Sequence, residues 1–417
     1  MPEIEPFAIN REKLDQAVQV LQEKDIDLWI TFARETTQVR DPSVGLLVGF
    51  DLTWHSALMV SRTGKRIAIV GRFDAANVEN TGGFTTVVAY DQSIRDPLRE
   101  WVSELNPRTI ALNYSENDPS ADGLTHGMFR TLANILGGTE YAARFISAEP
   151  IIAALRGRKT PTEVGYIRAA IGATEGILRE VEALVKPGMS ELEIADFIHR
   201  TVTERGLGVA WEWDMCPLVV AGPEGTFGHR MPGEYKTQLG GLLQIDFGAA
   251  REGFVADLQR TMYFCHPGEK ALPDEVERAW RAVRAAIEAA RAALKPGARG
   301  WEVDTAARST LVAAGYPEYM HATGHHIGRT AHDGATVLGP KWERYGKSIE
   351  GVIEAGNVFA IELGAHVPGY GYLGCEEDVL VTPNGAEYLS EVQEEIWLIR
   401  ETPELRRARK SEKAARS

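Results

Sequence analysis

Residues 321–334 read HATGHHIGRTAHDG and hold four of the chain's ten histidines, His321, His325, His326 and His332. A lone imidazole is usually structural. Four together, among glycines that permit close backbone approach, are the material of a site that binds metal and moves protons. Two other stretches supply acids in pairs. In LLQIDFGAAREGFVADLQRTMYF (242–264), Asp246 and Asp257 have their midpoint between Arg251 and Glu252, in a turn between two apolar strand patterns. In FAIELGAHVPGYGYLGCEEDVLVT (359–382), Glu362 and Glu376 have theirs at Gly369, inside VPGYG. A hairpin folded at each midpoint puts the acids of a pair directly opposite each other, with Cβ atoms about 5 Å apart.

Like charges opposite one another destabilise a sheet unless something neutralises them. Either these acids face solvent on strand edges, or a cation lies among them. Their place inside apolar strands, twice over, favours the cation, because four buried carboxylates cannot all stay ionised without one. A pair of divalent ions about 3.5–4 Å apart would satisfy them. One neutral imidazole would complete the set, leaving the other histidines to orient substrate and move protons.

The elements that must position these groups are legible in outline. A new unit begins near Thr160, where TPTE offers an N-cap, a proline at the first helical position and Glu163 to close a capping box. A long amphipathic helix is predicted from there to about Val185. The unit contains a weak internal repeat: VKPGMSELEIADFIHRTVTERGL (185–207) resembles LKPGARGWEVDTAARSTLVAAGY (294–316). Each copy follows a long helix, turns at Lys-Pro-Gly, enters a second helix and leads into a β-rich stretch holding one acid pair. A duplicated helix–helix–sheet unit builds two related halves that face each other.

Ahead of this unit, REKLDQAVQVLQEKDI (11–26) puts Leu14, Val18 and Leu21 on one helical face. DLWITFA (27–33), SALMVS (56–61), KRIAIVG (65–71) and FTTVVAY (84–90) read as strands. This half is an α/β domain without a nucleotide-binding fingerprint. The fold class expected for the whole chain is α/β (α+β), with an N-terminal domain over 1–157, a catalytic domain over 158–403 and a basic tail over 404–417.

Bulk properties narrow the function classes. A chain of 417 residues suggests two domains. The net charge of −14 disfavours nucleic acid as a partner. No apolar run approaches the roughly 18 residues that span a bilayer, and the polar start MPEIEPFAINREKL does not read as a signal peptide. Cys216, Cys265 and Cys375 are few, odd in number and far apart. That pattern predicts a reducing compartment, hence a cytoplasmic protein.

The motifs together have a known likeness. HATGHHIG resembles the HxTGHGIG motif of the pita-bread metallopeptidases, the family of Xaa-Pro aminopeptidase, prolidase and methionine aminopeptidase. GHRMP (228–232) resembles the stretch around that family's first catalytic histidine. DFGAAREGFVADLQRT resembles DxGxxxxGYxxDxTRT, AIELG resembles TIEPG, and GCEEDVLVTPNG resembles RIEDxVLVTxxG. Residues 1–155 are similar to the creatinase-type N-terminal domain of the prolidase branch.

The resemblance implies a pseudo-twofold catalytic domain holding two divalent ions on Asp246, Asp257, His325, Glu362 and Glu376. Asp257 and Glu376 take the places of the bridging ligands. Glu362 takes that of the carboxylate that accepts a proton from the attacking water. His229, His321 and His332 match the histidines around the scissile bond. The donor set suits Mn(II) or Co(II), with Zn or Fe also accommodated. A homodimer acting on short peptides is implied as well.

The departures from the family cluster near the substrate. Gly374 stands where prolidases carry an arginine that helps hold substrate, while HHIGR adds His326 and Arg329. Leu363 replaces a proline, and Phe254 a tyrosine. Extra residues, including LGPKWERYG (338–346), separate His332 from Glu362 and would form either a rim or a surface loop. Arg329 and His326 are therefore expected beside substrate, and Trp211 and Trp213 as pocket walls or core. The expected activity is that of an Xaa-Pro dipeptidase or an aminopeptidase P-like exopeptidase. The alternatives are a metallocarboxypeptidase of the same fold, with Arg329 or a histidine anchoring a free carboxylate, and a non-peptidase creatinase-like hydrolase.

Overall fold

The computed structural model describes residues 5–225, 228 and 230–400. These divide between Thr162 and Glu163 into two compact units. His229 and the basic tail lie outside the described residues.

The first unit is built on a six-stranded mixed sheet. Its strands are β1 (Leu28–Ala33), β2 (Ser56–Ser61), β3 (Arg66–Gly71), β4 (Thr86–Tyr90), β5 (Ile110–Leu112) and β6 (Phe145–Ser147), in the order β4-β3-β2-β1-β5-β6. Side chains of a strand alternate between faces, so one sheet feeds two cores. Trp29, Leu58, Val60 and Ala68 pack on one face with Leu14, Ala17 and Leu21 of the helix Ala8–Glu23. Leu28, Ile30, Phe32, Met59 and Ile69 pack on the other, with Leu98 and Val102 of the helix Arg95–Leu105. Burial on both faces explains why β1 reads as a continuous apolar run rather than an alternating one.

The second unit carries the repeat. The helices Pro161–Leu184 and Glu191–Glu204 flank the first Lys-Pro-Gly, and Asp274–Ala293 and Gly300–Ala313 flank the second. The second helix of each pair opens with the same device. The Ser190 N–H donates to Glu193 Oε2 and the Arg299 N–H to Glu302 Oε2, both at 2.7 Å. Each of these N-cap residues also forms an isolated antiparallel bridge, to Lys236 and to Val352 respectively. The two copies therefore share local geometry and not only a turn motif.

The strands of this unit are β7 (Gly208–Val209), β8 (Leu218–Ala221), β9 (Leu242–Phe247), β10 (Ala249–Arg251), β11 (Phe254–Val255), β12 (Leu258–Phe264), β13 (Gly324–His326), β14 (Val358–Val367), β15 (Gly371–Thr382), β16 (Gly385–Tyr388) and β17 (Trp397–Ile399). They form two four-stranded sheets, β17-β12-β9-β8 and β13-β14-β15-β16, and a small sheet β11-β10-β7. Arg260 of β12 joins the larger sheets. Its guanidinium donates to the Glu376 carbonyl at 2.9 Å and to Glu377 Oε2 at 3.1 Å, with both side chains buried. Breaking such a pair strands a buried charge. Arg260 thus fixes the backbone of β15 where Glu376 projects.

The two acid hairpins fold differently. In the second, Glu362 lies directly opposite Glu376, as the symmetry about Gly369 predicts. In the first, the expected direct pairing of Asp246 with Asp257 does not occur. Arg251 pairs with Phe254, so the turn is Glu252-Gly253, with φ of 52° and 76°. Positive φ at both central residues is the mirror-image two-residue turn that suits strand twist, and Gly253 adopts it without strain. This centre moves the register, and Asp246 pairs with Gln259. Asp257 lies just ahead of that ladder, between β11 and β12.

Candidate active site

Both halves of the second unit deliver side chains to one cavity of about 450 Å³. Asp246 comes from β9 and Asp257 from the approach to β12. His325 comes from β13, Glu362 from β14 and Glu376 from β15. All five line the cavity, together with His321 and His332.

The tightest group is Asp257, His325 and Glu376, whose ligand-type atoms lie within 4.8 Å of one another. His325 Nε2 is 3.9 Å from Asp257 Oδ2 and 3.9 Å from Glu376 Oε1. These separations are too long for hydrogen bonds and of the size that two ligands of a single ion keep. His325 Nδ1 lies 3.4 Å from the His326 carbonyl, which favours the tautomer with its proton on Nδ1 and its lone pair on Nε2. Burial, and then the neighbouring His332, lower its pKa to about 3, so the ring is an unprotonated donor. The edge of His332 meets it with ring centroids 4.4 Å apart.

The acids show what is needed among them. Burial first, and then Glu362, hold Asp246 well above the usual carboxylate range. Burial and then Asp246 do the same for Asp257, and burial and then Asp257 for Glu376. Glu362 is pushed up by burial to about 7, against hydrogen bonds from Gln259 and Tyr319 that lower it. Asp246 Oδ1 and Glu376 Oε2 are buried without a donor among the described residues. Orphaned acceptors on mutually repelling acids fit a divalent cation, which relieves both conditions at once. The chain therefore has the capacity to bind metal at Asp257, His325 and Glu376. Asp246 and Glu362 face the same cavity outside that tight group.

Of the four side chains expected beside substrate, only Trp211 lines the cavity, its indole Nε1 donating to the Met215 carbonyl at 2.7 Å. Trp213 is 44% exposed and stacks on His199 at 4.2 Å. His326 follows His325 on β13, so strand alternation turns it away, and it is buried with its ring 4.0 Å from that of Phe359. Arg329 is not among the lining residues, and its guanidinium lies over the Phe254 ring at 5.3 Å. The extra segment does not rim the cavity either. Trp342 packs under Arg308, and Lys341 lies over Trp301, both on the helix Gly300–Ala313.

Arg329→Ala is accordingly expected to act on stability. A cation–π contact of this kind is worth about 0.5–2 kcal/mol. The thermal midpoint should fall while kcat/KM changes equally on peptides with free and amidated C-termini. A selective loss on free C-termini would return Arg329 to the substrate.

The sequence reading missed several cavity residues and their supports. Met215 and Leu218 extend the apolar wall beside Trp211, and Glu212 adds a carboxylate. Gln259 donates to Glu362 Oε2 at 2.9 Å, and the Tyr319 hydroxyl approaches the same atom at 3.5 Å. A signal existed for Gln259 in the sequence, since it lies two residues beyond Asp257 in an apolar strand pattern, where alternate residues are expected to share a face.

Comparison with known proteins agrees with this geometry. The signature of Metallopeptidase family M24 matches residues 165–383, just over half of the chain. An uncharacterized peptidase of Staphylococcus saprophyticus is 25% identical over 384 residues, covering 91% of this chain and 99% of its own. The uncharacterized peptidase YqhT of Bacillus subtilis is 25% identical over 281 residues, 67% of this chain and 73% of its own. Among solved structures, an X-Pro aminopeptidase from Thermotoga maritima superimposes with a TM-score of 0.69 at 24% identity, covering 93% of this chain and 99% of its own. Dipeptidase PepE from Mycobacterium ulcerans does so with a TM-score of 0.71 at 24% identity, covering 95% and 100%. No helix among the described residues is long and apolar enough to cross a membrane. With the signature spanning the repeat, both hairpins and the histidine stretch between them, the chain belongs to metallopeptidase family M24.

Proposed function

We propose that this chain is a dinuclear metal-dependent exopeptidase that hydrolyses short peptides, of the Xaa-Pro aminopeptidase or dipeptidase type. The observation that carries this reading is the convergence of four carboxylates and one neutral histidine on a single cavity. Asp246, Asp257, His325, Glu362 and Glu376 would hold two divalent ions, Mn(II) or Co(II) by preference of so oxygen-rich a set, with Zn or Fe accommodated. Bound there, the ions would supply a water of lowered pKa and polarise the scissile carbonyl.

The side chains do the rest. Glu362, a carboxylate on the cavity wall, accepts the proton of the attacking water. His321 and His332, on the cavity wall, donate to the charge that develops on the carbonyl oxygen, and His229 is assigned with them by its motif. Trp211, Met215 and Leu218 take the apolar part of the substrate and exclude water. The names of the Thermotoga and Mycobacterium structures support the Xaa-Pro aminopeptidase and dipeptidase classes. Residues 158–403 are assigned to catalysis and 1–157 to the accompanying creatinase-like domain. We place the protein in the cytoplasm as a homodimer, in keeping with three buried unpaired cysteines and with the family likeness.

Between the two ends of a peptide, the cavity favours the amine. Among the described lining residues there is no lysine or arginine, whereas Glu212 presents a carboxylate. The carboxypeptidase alternative would rest on a histidine of the cavity wall, since the Arg329 guanidinium lies over Phe254 and outside the lining. Xaa-Pro peptides with a free N-terminus should therefore be cleaved. N-acetylation should cost about 10–100-fold in kcat/KM, as expected for losing a charge-assisted contact, and C-terminal amidation little. Chelation should abolish activity and Mn(II) restore it. Equal rates on acetylated and free peptides, or full activity in metal-stripped protein, would refute this assignment.

A further inference from the structure

Gln259 has no place in the chemistry just described, yet it is 1% exposed and lies where the two hairpins meet. Its Nε2 donates to Glu362 Oε2 at 2.9 Å, and its Oε1 accepts from Gln244 Nε2 at 3.0 Å. The amide is assigned with its NH₂ end toward Glu362, because a carboxylate that binds metal is an acceptor, and its oxygen toward the Gln244 NH₂. The Tyr319 hydroxyl approaches the same Oε2. Both donors thus converge on one oxygen of Glu362, and no described residue donates to Oε1. The carboxylate is pinned by one oxygen and presents the other to the cavity it lines.

The room for this clamp comes from Gly374. A Cβ on Gly374 would stand 2.3 Å from Gln259 Oε1 and 3.5 Å from Gln244 Cγ. The amide could not swing aside without leaving either Gln244 or Glu362. Glycine at 374, in β15, and glutamine at 259, in β12, are therefore complementary. In DLQRT that glutamine stands where the DxTRT pattern has a threonine. A side chain at 374 and the amide of Gln259 therefore compete for the same space.

We propose that Gln259 is a positioning residue for Glu362, admitted by Gly374, which fixes the carboxylate for both metal binding and proton acceptance. The proposal rests on the function given above, because it takes Glu362 to have those two tasks. Gln259→Met tests it, since methionine keeps the length and fills the space without a donor. The Mn(II) dissociation constant, measured by competition with a chelator, should weaken about tenfold or more, and kcat should fall about 10–100-fold. KM should stay within about twofold, and the thermal midpoint of the metal-free protein should stay near wild type.

Gly374→Ala should reproduce these losses. The double variant Gln259→Ala/Gly374→Ala should be no worse than Gln259→Ala alone, because the methyl then enters vacated space. A Gln259→Met protein that binds Mn(II) and turns over within about twofold of wild type would overturn the proposal and leave the peptidase assignment standing. Single-variant losses that simply add in the double variant would overturn it too. A wild-type protein that neither binds Mn(II) nor cleaves peptides would overturn the assignment itself, and this proposal with it.

Discussion

Asp257→Asn and Glu376→Gln should each abolish peptide hydrolysis, with losses well beyond the roughly 10–100-fold seen when a group that only orients a ligand is removed. Each belongs to the tight group with His325, and the remaining members of that group cannot supply the ligand that is lost. The same substitutions should have the opposite sign on the stability of metal-free protein. There, the buried acids repel one another and are held above their usual pKa. Glu362 sets the window. Its carboxyl is raised from 4.5 to about 7, so the stability it contributes is fully present below 4.5 and is lost as pH rises through about 7. Metal-stripped wild type should melt higher at pH 5 than at pH 8, and either substitution should narrow that gap by removing one charge from the cluster. Metal at a hundredfold excess over its Kd should add about 2.7 kcal/mol to the wild type and much less to the variants. Thermal unfolding with and without chelator at both pH values measures all of this. Metal-stripped variants less stable than metal-stripped wild type at pH 8 would show that the acids are not in mutual repulsion.

What could be read from the sequence followed from local periodicity, and what could not depended on a turn or on contacts between distant segments. The pairing of Glu362 with Glu376 was legible because a single hairpin, centred on a glycine with φ of 84°, determines it. The Asp pair was read with the right face and the wrong register, because the turn was centred on Arg251 and Glu252. Gly253 was the residue to weigh there, since it gives the mirror-image turn its second positive φ at no steric cost. The histidines divide for a similar reason. β13 is only three residues long and has no apolar alternation to reveal it, so nothing in HATGHHIG shows that His325 and His326 face opposite ways. Gln259 and Tyr319 meet at Glu362 from segments far apart in the chain, and such a meeting leaves no local pattern. Charge and nearness in sequence suggest Arg329 as a carboxylate anchor, and neither shows that its guanidinium lies over the Phe254 ring. The charge of a side chain shows what it can bind, but its direction comes from the backbone.

Glu362→Gln should lower kcat about 100–10,000-fold, the range for removing a positioned proton acceptor, while KM stays within about threefold. The substitution keeps the side chain's shape, and the surroundings dictate how the new amide lies. Gln259 presents its NH₂ to the Oε2 position at 2.9 Å, and the Tyr319 hydroxyl points to the same place. Two donors there require the amide oxygen, which turns the new NH₂ toward the cavity. That group has no lone pair available to take a proton, so the variant is defective at the one atom the reaction uses. Metal binding should survive in part, because Asp257, His325 and Glu376 form their group without Glu362. The signature is therefore a protein that still takes up Mn(II) by elemental analysis but scarcely turns over. Glu362→Asp should fall between this variant and wild type. It keeps a carboxylate, but one methylene shorter, which draws it away from Gln259 and weakens the clamp. Retention of more than about a third of wild-type kcat by Glu362→Gln would mean that another group takes the proton. His332 would be the next to test, as it lines the cavity with its ring against His325.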